Sequence, residues 1–365
     1  MQRGSRSFER CRLPAWALPV WVLLCAIPLL TACLPQAAVQ QSQARGLYNW
    51  VHTTGDAERA FEFYHEVLGL TLAPSPFVTG PTAARPERIR PAAEAGSDPL
   101  VSNLTNTPGA RFRTVFMHAP DTPFGLELSE FFDIPRNERP ANAWDPGASR
   151  LMFAVRDLDA VMTKVRARGA PLVTLGGEAI AASSGRAVLV RDPDGYLIEL
   201  RQASREEMAA ARQDGAIVRT TLGITVANMA SASAFYRDLL GLTLRNTREG
   251  TAADLRLNGL SGGRLTQTIW HIRGTAVEVT LSSFTLPAGA APAQPYHWRI
   301  QDVGAPQFQL EVRDLDSLLA ATVSAGYGFL SVGGKPIERP FGRFVFAIDP
   351  DGVLVEFVEP AAASR

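Results

Sequence analysis

The chain has 365 residues, 46% of them hydrophobic, with 36 basic and 36 acidic side chains and a formal net charge of +0. That length and apolar fraction suffice to bury two ordinary cores, and the balanced charge offers no electrostatic footprint for a nucleic acid or another polyanion. Cys11, Cys25 and Cys33 are the only cysteines and all fall in the first 33 residues, so the remainder has no disulfide and is held by packing.

The chain opens with Arg3, Arg6, Arg10 and Arg12, followed by an apolar run over residues 17–30 that leads into Leu30-Thr31-Ala32-Cys33. A basic start, a short apolar stretch and small residues at its end predict a signal peptide over residues 1–33, since a membrane span needs about 20 apolar residues. The last four residues resemble the bacterial lipobox, whose cysteine is acylated and becomes the mature N-terminus. This resemblance implies lipidation at Cys33, a membrane partner through that anchor, and residence in the bacterial cell envelope. Leu34, where Asp would stand for inner-membrane retention, resembles outer-membrane sorting with the body facing the periplasm. Each buried methylene contributes about 0.8 kcal/mol, so several acyl chains hold firmly. Residues 34–45 follow as a polar tether.

The body begins with a strand over residues 47–53. Next comes a helix capped by Asp56, with an apolar face of Ala60, Phe61, Tyr64, Val67 and Leu68, and closed by Gly69. Residues 74–109 form an insert carrying Arg85, Arg88 and Arg90, which reads as a solvated loop, the alternative being a lid over a site. Strands over 111–118 and 125–131 flank a turn with Pro120 and Pro123. The plan is β-α-β-β-β. It recurs as a strand over 151–155, a helix with Leu158, Val161 and Val165 stopped by Gly169, a strand over 171–174, and a hairpin of 187–191 and 196–200. That hairpin turns on Asp192-Pro193-Asp194-Gly195, where proline and glycine stand at ordinary turn positions. Ser204-Arg-Glu-Glu207 is a capping box, predicting a linker helix that ends at Gly215. The plan then repeats from Thr221 and from Gln307.

The repeat is explicit in the residues. Phe63-Tyr64-His65-Glu66-Val67-Leu68-Gly69-Leu70 mirrors Phe235-Tyr236-Arg237-Asp238-Leu239-Leu240-Gly241-Leu242, and Asp192-Pro193-Asp194-Gly195 before Glu199 mirrors Asp349-Pro350-Asp351-Gly352 before Glu356. Module 1 therefore resembles module 3, and module 2 resembles module 4.

Paired β-α-β-β-β modules, the Phe-Tyr-x-x-x-Leu-Gly-Leu helix end and Asp-Pro-Asp-Gly-x-x-x-Glu together resemble the vicinal oxygen chelate superfamily, which includes glyoxalase I, extradiol dioxygenases and bleomycin-resistance proteins. The resemblance implies an α+β fold with four βαβββ modules paired into two half-barrel domains. In sequence order these are residues 46–203 (modules 46–133 and 148–203) and 216–360 (modules 216–285 and 305–360), joined by the linker 204–215. It specifies fold more closely than reaction.

In that family, metal ligands come from the first and last strands of each module, and the first-strand ligand lies seven residues before the helix cap. Counting from Asp56, Asp157, Asn228 and Asp314 gives Asn49, Arg150, Thr221 and Gln307. The last-strand positions give Glu127, Glu199, Thr280 and Glu356. Sequence order assigns Asn49, Glu127, Arg150 and Glu199 to one cup and Thr221, Thr280, Gln307 and Glu356 to the other. None is a histidine, and an arginine between carboxylates is stable without metal. The expectation is a cup with no cofactor; the alternative is a divalent metal held by Glu127, Glu199 and Glu356.

Of the five histidines, His52 alternates with Asn49 and Val51 and so faces the helices, while His65 lies on a helix surface. His118 and His271 correspond in the repeat; His118, opposite about Phe124, is roughly 10 Å from Glu127 and reads as a rim or hydrogen-bonding residue. His297 lies on the loop joining modules 3 and 4. No Ser/His/Asp set, phosphate loop or CxxC competes.

Three functions follow. The first is a metal-free cup that binds a small molecule, oriented by Arg150, Glu127 and Glu199, as in the bleomycin-resistance branch. The second is a metal-dependent glyoxalase, isomerase or dioxygenase acting on a substrate with vicinal oxygens, using Glu199 or Glu127 as base. The third is a scaffold whose cups are filled by side chains.

Overall fold

The computed structural model describes residues 42–75, 88–119, 121–212, 214–290 and 293–361. The expected signal peptide, Cys33 and most of the tether lie outside the described residues, as do Arg85 and Pro120. Among the described residues no helix is long and apolar enough to cross a membrane.

Module 1 comprises β1 (Ala44–Thr53), α1 (Ala57–Leu68), β2 (Thr71–Leu72), α2 (Pro99–Thr105), β3 (Arg111–His118) and β4 (Gly125–Phe132). Module 2 comprises β5 (Ser149–Val155), α3 (Leu158–Ala167), β6 (Ile180–Ala182), β7 (Gly185–Arg191) and β8 (Leu197–Gln202), and the linker helix α4 (Arg205–Ala210) follows. Module 3 comprises β9 (Ile217–Thr225), α5 (Met229–Ser233, continued by a wider π turn over Ala234–Leu239), β10 (Thr243–Glu249), α6 (Ala252–Leu257), β11 (Arg264–His271) and β12 (Glu278–Thr285). Module 4 comprises β13 (Pro306–Val312), α7 (Leu315–Ser324), β14 (Ile337–Arg339), β15 (Gly342–Ile348) and β16 (Leu354–Pro360). The principal helix of each module starts by one device. Asp56, Asp157, Asn228 and Asp314 hold extended backbone, and their side chains accept an N–H from the first turn.

Several boundaries differ from expectation. Residues 171–174 form no strand beyond a single bridge from Leu172 to Val190, and the strand beside β7 is β6 instead. The linker helix stops at Ala210, short of Gly215, because Ala211 takes extended backbone. β1 starts at Ala44, inside the expected tether, where the Ala44 N–H donates to the Leu240 carbonyl over 2.9 Å.

The larger correction concerns pairing. One eight-stranded sheet has the order β14-β15-β16-β13-β1-β4-β3-β2, the other β10-β11-β12-β9-β5-β8-β7-β6. Module 1 thus joins module 4 through antiparallel β1 and β13, and module 2 joins module 3 through β5 and β9. The two half-barrels are not the consecutive spans 46–203 and 216–360. The reason lies in the linkers between modules 1 and 2 and between modules 3 and 4, which bind each other as they carry the chain from one sheet to the other. The Asn137 N–H donates to Asp302 (2.8 Å), the Val303 N–H to the Asn137 carbonyl (2.9 Å), and the Arg139 guanidinium lies 4.2 Å from the Tyr296 ring centroid.

One continuous core joins the convex faces of both sheets to α1, α3, α5 and α7. Trp50, Leu128, Phe308 and Phe357 enter it from one sheet, and Leu151, Ile198, Leu222 and Leu281 from the other. The repeated motifs are its fasteners. Tyr64 donates its hydroxyl to Asp192 over 2.9 Å, and Tyr236 does the same to Asp349 over 2.9 Å. All four are buried, so each bond ties a helix of one module to a turn of the next and is worth about 1–3 kcal/mol.

Candidate ligand-binding cup

Side chains alternate across a strand, so the row that points away from the core is set by register. In the sheet of modules 1 and 4, Val51 pairs with both Glu127 and Gln307, Gln309 pairs with Glu356, Phe116 with Glu127, and Phe346 with Glu356. These residues share the concave face with Asn49 and Ser129. Of these, Phe116, Glu127, Ser129, Gln307, Gln309, Phe346 and Glu356 line a cavity of about 450 Å³ with Phe112, Phe131, Phe344 and Ile300. The cavity has an aromatic wall and a polar floor.

Asn49, Glu127, Ser129 and Gln309 form one hydrogen-bonded set. Asn49 Nδ2 donates to Glu127 Oε2 (3.3 Å) and Gln309 Oε1 (2.7 Å), Gln309 Nε2 donates to Glu127 Oε2 (2.9 Å), and the Ser129 hydroxyl donates to Glu127 Oε1 (3.3 Å). Gln307 Nε2 donates to the Thr53 hydroxyl at 3.1 Å. Gly125 lies opposite Asn49, and a Cβ there would sit 2.5 Å from Asn49 Oδ1, so glycine leaves room for the amide to lie along the floor. Burial pushes the Glu127 carboxyl up to about 7, against the opposing hydrogen bonds from Ser129, Gln309 and Asn49. Burial, reinforced by the Glu127 charge, pushes Glu356 up to about 8.

The insert takes part in this cup. Its helix α2 packs against β14 and β15, the Ser331 hydroxyl donates to the Leu104 carbonyl (2.8 Å), and Arg339 pairs with Asp98. Arg90, Asp98, Val101, Leu104 and Thr105 all line the cavity, so the described part of residues 74–109 is a wall and not the solvated loop expected from composition.

Of the eight positions picked out by spacing, Asn49, Glu127, Gln307 and Glu356 come together here, a set that sequence order had divided. The other four occupy the sheet of modules 2 and 3. There Arg150 does not lie between Glu127 and Glu199 as expected; it faces Glu199 alone, Nη1 to Oε2 at 3.4 Å, with Nη2 donating to the Ala143 carbonyl (3.4 Å). Thr280 lies buried beside Gly223 in the register, and Thr221 is half-buried opposite Met152. A Cβ at Gly223 would meet Arg150 Cγ at 2.8 Å, so the glycine lets the guanidinium stem cross the sheet. Helix α6 docks onto β6 and β7, with Asp254 accepting the Ser183 N–H at 2.9 Å. Gln309 was missed, although it lies two residues beyond Gln307 on the same face of β13, because counting to the helix cap picks out one residue per strand.

The histidines stay outside the cup. His52 is fully buried on the opposite face of β1, with Nε2 3.2 Å from the Tyr64 hydroxyl and 3.3 Å from Asp192, and its ring is stacked on Tyr196. With Asp192 and Asp194 it forms a group whose ligand-type atoms lie within 4.8 Å of one another. Those carboxylates are already engaged: Asp192 accepts from the Asp194 and Tyr196 N–H groups and from Tyr64, and Asp194 from Thr54, Gly55 and Arg59. The cluster is a fastener between modules 1 and 2. His65 bonds the Leu70 carbonyl, His271 the Thr243 carbonyl, and His297 is exposed. The register places Met117 opposite Leu126, one residue away from the offset expected for His118, which lies at the exposed end of β3.

The floor does not fit the metal that the resemblance implies. Two carboxylates and three neutral carboxamides, with no imidazole, do not match the donors that a borderline transition ion prefers. Asn49 and Gln309 also direct N–H groups at Glu127, where a metal ligand would need open lone pairs. Glu199, the third expected ligand, is in the other sheet with Arg150.

A family model described as Glyoxalase/Bleomycin resistance protein/Dioxygenase superfamily matches residues 49–200 and again residues 217–357. Among solved structures, the chain is similar to glyoxalase I from Zea mays at 16% identity and a TM-score of 0.52, covering 86% of this chain and 92% of that one. Two mutants of the same maize protein are similar at 17% identity, one with a TM-score of 0.54 (86% and 92% covered) and the other 0.51 (86% and 93%). At such identities the likeness is one of fold. No curated protein shows a significant sequence match.

Proposed function

Given that the chain belongs to the glyoxalase/bleomycin resistance protein/dioxygenase superfamily, we propose that it binds a small molecule in the cup shared by modules 1 and 4, without a metal. The observation that carries this reading is the cavity of about 450 Å³ with aromatic walls and the polar floor of Glu127, Gln307, Gln309 and Glu356, supported by Asn49 through its bonds to Glu127 and Gln309. An apolar pocket with a few convergent polar groups is the usual form of a ligand site. Thr114 lines the cavity wall, so Thr114→Trp fills it. A neutral solvatochromic dye titrated into the folded protein is expected to bind once per chain in the wild type and not in this variant. Equal binding by both would remove the reading.

A catalytic reading has one observation in its favour. Glu127, held near neutrality by burial, is suited to accept a proton at physiological pH. Turnover of a ligand that is lost in Glu127→Gln while binding persists would establish it.

The reading also includes a lipid anchor at Cys33 in a bacterial envelope, supported by the arginines, the apolar run and the lipobox-like Leu30-Thr31-Ala32-Cys33. Cys33→Ala is expected to move the protein from the membrane to the soluble fraction. Unchanged membrane retention of an otherwise intact variant would contradict it.

A further inference from the structure

We propose that the ligand of the module 1 and 4 cup is an organic ammonium on an apolar, ring-sized body, its charged nitrogen seated between Glu127 and Glu356. This deepens the binding proposal and rests on it. In the other sheet the same two strand positions are occupied by Arg150 and Glu199. Arg150 pairs with Leu197 in the register and Gln307 with Leu354, while Met152 pairs with Glu199 and Gln309 with Glu356, so the positions are equivalent. In modules 2 and 3 the glutamate has its own guanidinium at 3.4 Å. In modules 1 and 4 that cation is replaced by neutral Gln307, and a second carboxylate, Glu127, stands where the other sheet has Thr280. The molecule thus gives the buried glutamate of one cup a guanidinium partner, while among the described residues neither floor carboxylate of the other cup has a cationic hydrogen-bond partner.

Glu127 and Glu356 are 5% and 4% exposed, and their described partners are Asn49, Ser129 and Gln309, all neutral. The other charged residues lining the cavity are Arg90, Asp98 and Arg339, and the last two are paired with each other. Carboxylates buried without a cation are unstable as ions and take up protons instead, consistent with the upward shift of both groups. A protonated amine supplies what Arg150 supplies opposite. The rings of Phe112, Phe116, Phe131, Phe344 and Phe346 suit a cation with an aromatic or alicyclic body. Anionic ligands are repelled by the same floor.

The test is isothermal titration of the folded protein at about pH 8 with 1-naphthylmethylamine, the neutral 1-naphthylmethanol and the anionic 1-naphthoate. The amine is expected to bind about tenfold or more tightly than the alcohol, as a desolvated ion pair implies, and the naphthoate not at all. The preference should vanish in the Glu127→Gln/Glu356→Gln double variant. Gln307→Arg, which places a guanidinium as in the other cup, should abolish amine binding. Should the alcohol bind as tightly as the amine, the ammonium proposal fails while the cup stands. If none of the three binds and the dye titration is equally blank, the cup reading fails with it. Stoichiometric Mn(II) binding that displaces the amine would make the natural cation a metal and overturn the proposal.

Discussion

Arg150→Met is expected to destabilise the protein by about 3–5 kcal/mol, with most of that loss recovered when Glu199→Gln is added. Both side chains are nearly inaccessible, and among the described residues the guanidinium donates to Glu199 and to the Ala143 carbonyl. Burial holds Arg150 below its ordinary basicity, partly offset by the Glu199 charge. Removing the cation alone leaves the Glu199 carboxyl buried without its charge partner, whereas the double variant exchanges an ion pair for neutral groups of similar volume. Urea denaturation of the wild type, both single variants and the double variant measures the coupling. A loss below about 1 kcal/mol in Arg150→Met would mean that the pair is solvated, and the contrast between the two cups would lose its basis.

Glu356→Gln is expected to stabilise the protein above the folded-state value of about 8 and to have little effect near 4.5. The sign follows from linkage. The carboxyl is raised on folding, so its favourable contribution is complete below 4.5 and is lost as pH rises through about 8. Glutamine keeps a neutral group there at every pH. The shift corresponds to an upper bound of ~5 kcal/mol at high pH for Glu356, and ~3 kcal/mol for Glu127→Gln, raised to about 7. Because the charge of Glu127 contributes to the shift of Glu356, the double variant should gain less than the sum. Denaturation midpoints from about pH 4 to pH 9 provide the measurement; parallel curves for wild type and variants would show that the floor is hydrated and the carboxyls ordinary.

Much of this was legible in the residues. The caps Asp56, Asp157, Asn228 and Asp314, the hairpins of the Asp-Pro-Asp-Gly turns and the opposed faces of Asn49 and His52 follow from local geometry, which composition and period encode. The partnership of modules was not. All four first strands offer similar edges, and the choice of β13 for β1 depends on linkers that bind each other 165 positions apart at Asn137 and Asp302. The misassigned strand at 171–174 rested on Leu172 and Val173, too short a pattern to separate strand from loop. Helix α2 did carry a signal, Asp98 as cap with Pro99 at the first helical position, but it stood inside a segment read by composition alone.

The crossed pairing has a consequence for the repeat as a folding unit. Residues 42–203 hold half of each sheet, and residues 216–361 hold the complementary halves, so neither piece can close a concave surface by itself. The chain is a dimer of its two halves, fused through α4 and exchanged strand for strand. The outer sheet seals only when the last module reaches the first, with β1 and β13 in contact across most of the polypeptide, while the inner pair of modules can assemble around a short connection. A chain cut within the α4 linker would yield two fragments that are each unfinished on two faces, and whose route to a native surface is to find one another again.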